Sequence, residues 1–146
     1  MKRFFLVLLV LVLGLTAGAW VSADEASGFR VVVHPSNPAT SLSRTFLQDA
    51  FLKRIKRWPN DEVLRPVDLE ARSSVRKSFS KQVLGRSVHA VRAYWQQRIF
   101  SGRDVPPPEL PNDQEVIAYV LRHAGAVGYV STGADLKGAK TVGVRD

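Results

Sequence analysis

The stretch VLRPVDLEARSSVRKSFSKQVLG, residues 63–85, decides the fold of this chain, because a strand, a polar loop and an amphipathic helix follow one another in it. Residues 63–67 are mostly apolar, which predicts a strand, and Pro66 favours a position at the edge of a sheet. Val75, Phe79 and Val83 then recur every fourth residue. This spacing predicts a helix with one apolar face, ending at Gly85.

The loop inside this stretch carries the main chemical hypothesis. It places Ser73 and Ser74 at the start of the helix and Arg76 in the first helical turn. Unpaired backbone N–H groups, two hydroxyls and a guanidinium together form a candidate seat for an oxyanion such as phosphate or sulfate. The alternative is that a serine only caps the helix and Arg76 is a solvated charge.

The segments on either side extend the pattern. Residues 29–33 are apolar and β-branched, typical of a buried strand, and the turn that follows contains Ser36. Ligands of α/β proteins gather at the carboxyl ends of parallel strands, so the turn with Ser36 and the loop with Ser73 are expected to share one rim of the sheet. Ser36 is therefore a further candidate for anion binding.

Three more helices are predicted from apolar spacing. Their caps are Ser41 or Ser43, then Ser87, and then Asn112 with Glu115 in a capping box. The proline-rich segment 105–111 is expected to be an extended connector, and residues 126–130 and 140–144 to be strands. Strands alternating with helices predict an α/β fold: a single three-layer lobe with a mostly parallel sheet of four to five strands flanked by helices.

The first 23 residues have the pattern of a secretory signal peptide. A basic start precedes an apolar run over residues 4–15, and small residues end at Ala23, where cleavage is expected. Residues 24–146 then form one domain, with no membrane span after cleavage. The absence of cysteine excludes disulfides and a lipid-carrying cysteine, and the predicted location is the periplasm.

The chain is basic, with 21 Lys and Arg against 13 Asp and Glu. Removal of residues 1–23 leaves 19 against 13, a net charge of +6. Anionic partners are therefore favoured. Lys53, Arg54, Lys56 and Arg57 form a cationic run, but no row of aromatic residues accompanies it, so nucleic acid is an unlikely partner.

Enzyme chemistry has little support in the sequence. The three histidines, His34, His89 and His123, show no metal-binding spacing. There is also no cysteine nucleophile, G-x-S-x-G elbow or Walker loop. No cofactor, no metal and no enzymatic activity are predicted.

Three segments resemble a known family: FLKRIKRWPND at 51–61, PVDLEARSSVRKSF at 66–79 and HAGAVGYV at 123–130. In the same order they are similar to motifs of the solute-binding proteins of phosphate ABC transporters, of the type 2 periplasmic-binding-protein superfamily. The resemblance implies a lobe of a clamshell that closes on an oxyanion, with Ser73, Ser74 and Arg76 in the ligand loop. Ala71 and Arg72 stand where the family has glycines, and the mature chain is less than half as long as a full binder.

Two functions follow from this resemblance. The chain is either an exported, phosphate-binding-like module that works with an ABC transporter, or an envelope interaction protein that kept the fold, lost the ligand and docks through its basic surface.

Overall fold

The computed structural model describes residues 28–146, so the predicted signal peptide and its cleavage site lie outside the described residues. The strands are β1 (Phe29–Val33), β2 (Ser41–Ser43), β3 (Arg65–Pro66), β4 (Asp68–Leu69), β5 (Glu109–Leu110), β6 (Ala126–Ser131) and β7 (Lys140–Arg145). The helices are α1 (Arg44–Phe51), α2 (Ser74–Phe79), α3 (Val88–Phe100) and α4 (Asp113–Arg122). A π-helical turn, Ser80–Leu84, extends α2.

All four helices begin where a polar side chain caps them. In each case a side-chain oxygen accepts a hydrogen bond from the backbone N–H three residues later, which satisfies a donor that the first helical turn leaves unpaired. The capping residues are Ser43, Ser73, Ser87 and Asn112. Gly85 ends the α2 segment with a left-handed backbone (φ 64°), as its position predicted.

Five strands form one sheet in the order β2-β7-β1-β6-β3. β1 is antiparallel to both of its neighbours, whereas β2 is parallel to β7 and β3 is parallel to β6. Four of the five strands therefore point in one direction, as a mostly parallel sheet predicts, but the reversed β1 makes two of the four pairings antiparallel. β3, with Pro66, lies at an edge as predicted.

The predicted strand over residues 63–67 is shorter and broken. After β3 the chain leaves the main sheet, and β4 pairs with β5 in a separate two-stranded sheet. β5 lies within the proline-rich connector, which therefore also forms one strand of this small sheet. The short strand β2 was not predicted, because its serines were interpreted only as a helix cap.

The core lies between the sheet and the helices. At its centre, the rings of Phe79 and Tyr129 stack with their centroids 3.9 Å apart, and Phe51 packs beside both. A Cβ on Gly128 would lie 2.8 Å from Val116 Cγ1, so this glycine lets α4 pack closely on β6. All core residues described lie between Val31 and Val142, and we expect this part to fold without residues 1–23.

Within residues 28–146, no helix has the length and apolar character that crossing a membrane requires.

Candidate functional site

The loop between β4 and α2 is a tight turn in which Ser73 caps the helix, one of the two roles expected for this serine. The Ser73 N–H donates to the Glu70 carbonyl at 3.0 Å, which closes the loop into a tight turn. The Ser73 Oγ accepts from the Arg76 N–H at 3.2 Å, and Ser74 beside it is exposed. The hydroxyl protons of both serines and the first N–H groups of α2 are the donors that an oxyanion could use here.

Arg76 is turned away from this surface. Its side chain is only 2% exposed, and its Nη1 donates to the Leu69 carbonyl at 2.6 Å. The Nε lies 3.5 Å from Asp68 Oδ1, and Nη1 lies 3.5 Å from Glu109 Oε1. The expectation of an exposed guanidinium beside Ser73 and Ser74 is corrected by this burial. Arg76 instead stabilises the loop from the interior of the protein, through its hydrogen bond to the carbonyl of Leu69, the last residue of β4.

Tyr129 completes the buried cluster. Its hydroxyl donates to Asp68 Oδ1 at 2.7 Å and accepts from the Leu69 N–H at 3.3 Å. Burial raises the pKa of Asp68 to about 6, although the charge of Arg76 and the hydrogen bond from Tyr129 act in the opposite direction. Burial and the neighbouring carboxylate raise the pKa of Tyr129. The phenol therefore stays protonated and remains a donor.

Sequence reasoning missed Asp68 and Tyr129 as partners of Arg76. One signal was available, since Asp68 stands between Val67 and Leu69, and a carboxylate in an apolar strand needs a buried partner. Its partners lie 8 and 61 positions away along the chain, so spacing alone did not identify them.

Ser36 lies at the other end of the sheet. β1 is antiparallel to β6, and Phe29 is paired with Ser131 while Val33 is paired with Val127. The carboxyl end of β1 is therefore about 13 Å from the rim where β6 ends. The Ser36 Oγ lies 2.7 Å from His34 Nδ1. The expectation that Ser36 and Ser73 share one rim is wrong, because it assumed that β1 runs parallel to its neighbours.

A cavity of about 530 Å³ opens beside the buried cluster. Asp68, Arg76 and Glu109 line one side of it, and α3 contributes His89, Arg92 and Gln96. Cations and carboxylates face the same space, so the cavity has no strong preference for an anion. Among residues 28–146, no group of three metal-ligating side chains comes together.

A second hollow, of about 350 Å³, lies near the turn that follows β1. Phe46 and Trp58 form an apolar wall, with their ring centroids 5.2 Å apart, and Arg145 is the one charged side chain in its lining. Its lining also carries the polar side chains of Asn37, Ser41, Ser43 and Asn60, so hydrogen-bond donors are present here as well.

Comparison with solved structures identifies the fold. An ABC-type phosphate transport receptor from Vibrio cholerae superimposes with a TM-score of 0.61 at 23% identity, over 80% of this chain and 46% of that chain. This chain has the fold of the phosphate ABC transporter substrate-binding proteins. PstS from Borrelia burgdorferi gives a TM-score of 0.61 at 13% identity, over 81% of this chain and 47% of that chain.

A Clostridium perfringens protein solved with bound phosphate gives a TM-score of 0.62 at 19% identity, over 80% of this chain and 44% of that one. The chain thus spans less than half the length of these neighbours, which is consistent with a single lobe. At this level of identity the likeness shows the fold and not the ligand. No protein-family model and no curated protein match the sequence.

Proposed function

We propose that this chain is a solute-binding-like protein that binds phosphate or a similar oxyanion at the start of α2. One observation carries the proposal: Ser73 caps α2 with exposed Ser74 beside it, in a fold shared with phosphate receptors. These neighbours are receptors and binding proteins rather than enzymes. Export to the periplasm and work with an ABC transporter are part of the same proposal.

In this proposal Arg76 is a positioning residue. Its hydrogen bond to the Leu69 carbonyl fixes the last residue before the loop, and its own N–H binds the cap Ser73. The direct ligands are the hydroxyls of Ser73 and Ser74 and the free N–H groups of the first turn. Because Asp68 and Glu109 already offset the charge of Arg76, this residue adds little positive potential to the seat.

Affinity is expected to be low. Glu70 pairs with Arg72 at 3.0 Å, which places a carboxylate at the edge of the loop and engages its exposed cation. Ala71 and Arg72 also stand where glycines would let N–H groups wrap around an anion. One open face leaves the bound anion in competition with water.

Thermal melts of residues 24–146 test the ligand. Phosphate, sulfate and chloride are titrated in a non-anionic buffer at constant ionic strength. A ligand that binds only the folded state raises the Tm as its concentration passes the Kd. We expect a saturable rise with phosphate or sulfate and none with chloride, whereas equal responses to all three anions would contradict a specific seat.

Two pairs of serine variants test the position. Ser73→Ala and Ser87→Ala each remove a helix cap, at a cost of about 1 kcal/mol, but only Ser73→Ala is expected to abolish the phosphate response. Ser74→Ala should weaken that response, and Ser36→Ala, at the other end of the sheet, should leave it intact. A phosphate response that survives both Ser73→Ala and Ser74→Ala would reject this site.

A second candidate function, an envelope interaction protein that docks through its basic surface, is favoured by a different region, where exposed apolar side chains and cations meet at the end of α3.

A further inference from the structure

Most of the large apolar side chains that are exposed within residues 28–146 belong to two neighbouring segments, the loop after α1 and the end of α3 with the loop that follows it. Five large hydrophobic residues are exposed within residues 28–146. Four of them belong to two segments that touch, and the exception, Val144, lies on β7. We call this region the α3 corner; its apolar residues are Val63, Ile99, Phe100 and Val105. Such concentration is unusual, since isolated exposed apolar residues are normally scattered over a surface.

Ion pairs fasten the two segments together. Asp104, in the loop after α3, has its Oδ2 2.9 Å from Lys56 Nζ and its Oδ1 4.0 Å from Lys53 Nζ. The hydrogen bond from Lys56 lowers the pKa of Asp104, so the carboxylate stays ionised at neutral pH. Val63 lines a small hollow together with these same three residues. The loop after α1 and the end of α3 therefore form a single surface.

The rim of the α3 corner is positively charged. Lys53, Arg54, Lys56 and Arg57 come from the cationic run, and Arg103 comes from the loop after α3. Asp49, Asp61 and Asp104 pair with some of them, and Glu62 lies in the same segment, so five cations against four carboxylates leave a local excess of one positive charge. Lys56 keeps 69% of its side chain exposed despite its ion pair. This excess has the same sign as the net charge of residues 24–146, which is +6.

The shape of the α3 corner indicates which kind of partner fits it. Phe100 is the last residue of α3, it is 96% exposed, and the chain turns away after it at Ser101 and Gly102. The ring projects outward and lines none of the cavities described above. An exposed aromatic tip, followed along the chain by Arg103 and by Asp104 with its partner Lys56, fits a bilayer interface, where the ring enters the acyl boundary and the cations stay with the headgroups.

We propose that the α3 corner docks this protein on the surface of an anionic lipid bilayer. Phe100 inserts, with Ile99 and Val105 beside it, while Lys56 and Arg103 contact anionic headgroups. This contact goes beyond the proposed function, because it needs neither Ser73 nor a bound oxyanion. It also gives a function to the cationic run, which contributes nothing to the proposed oxyanion site at the start of α2.

Vesicle sedimentation tests the proposal. We use residues 24–146, because the apolar run over residues 4–15 would itself enter a bilayer. The protein is mixed with vesicles of phosphatidylcholine, with and without phosphatidylglycerol. We expect binding to the anionic vesicles only, and weaker binding as salt screens the cations. Equal binding to neutral vesicles, or no binding to anionic vesicles, would overturn the proposal.

Variants locate the contact. Phe100→Ser should lower the partition coefficient about tenfold, because it removes most of the buried apolar area. The matched control is Val144→Ser, which removes another exposed apolar side chain and should have no effect. Lys56→Gln and Arg103→Gln should each lower binding about fivefold. Arg72→Gln, which removes an exposed cation from the α2 loop, should leave binding unchanged.

A further variant reports insertion directly. Phe100→Trp keeps an apolar ring at the tip, whereas Trp58 and Trp95 are buried in the fold and report little change in solvent. Its fluorescence should shift to shorter wavelength on anionic vesicles. An unshifted spectrum with the protein fully bound would overturn insertion. Binding only to membranes that contain other proteins would replace the bilayer with a protein partner.

Discussion

Two groups of charged side chains in this protein contain similar residues but differ in their exposure to water. Beneath α2, Arg76 lies between Asp68 and Glu109, and its guanidinium is removed from water. At the α3 corner, Lys56 is bound to Asp104, yet most of its side chain is exposed. The first group holds a loop in place from inside the fold. The second joins two surface segments and keeps its charge available to a partner.

The difference follows from the cost of burying charge. A buried ion pair loses hydration that its mutual attraction must offset, so it contributes mainly by fixing geometry. An exposed pair keeps its hydration and contributes little to stability. The buried group should therefore control stability and the shape of the α2 loop, whereas the exposed group should control association. The following predictions test that division.

The largest effect is expected from Arg76→Met. This substitution leaves Asp68 without its cation and the Leu69 carbonyl without its donor, at a place where the side chains of both charged residues are almost fully buried. The free energy of unfolding should fall by about 3 kcal/mol. Urea unfolding measures it, with Arg72→Met as the control, because Arg72 is 88% exposed and its loss should change stability by less than about 0.5 kcal/mol. Similar losses of unfolding free energy in the two variants would contradict the expected difference between buried and exposed charges.

The next effect is a pH dependence that arises from Asp68. Its pKa is about 6 in the folded protein against 3.8 normally, so the folded state holds the proton more tightly than the unfolded state. The stabilising contribution is therefore complete below about pH 4 and is lost as the pH rises through 6. The full loss is about 3 kcal/mol.

Asp68→Asn isolates this contribution, because the amide cannot ionise. The difference in unfolding free energy between the two proteins should change by about 2 kcal/mol from pH 4 to pH 7, with the wild type losing stability as the pH rises. Other titrating groups are common to both proteins and cancel in this difference. A constant difference across the range would mean that Asp68 does not titrate as its burial implies.

The same contrast explains which features the sequence could predict. The caps and the apolar face of α2 depend on neighbours within one helical turn, so local spacing identified them. The orientation of Arg76 depends on Asp68 and Leu69 in β4 and on Glu109, which lies 33 positions further along the chain, and periodicity carries no information about such contacts. The direction of β1 depends on strands that close the sheet near the end of the chain. The error over Ser36 follows from that missing direction.

The smallest effect on stability is expected at the α3 corner. Lys56→Gln removes an exposed cation from its pair with Asp104, so unfolding should change by less than about 1 kcal/mol. The same substitution is predicted to weaken binding to anionic vesicles about fivefold. Its main effect is therefore on association, whereas the main effect of Arg76→Met is on stability. Urea unfolding and vesicle sedimentation on the same preparation compare the two quantities. A large loss of stability would mean that the ion pair holds α3 to the fold, and the cations of this corner would then be structural like Arg76.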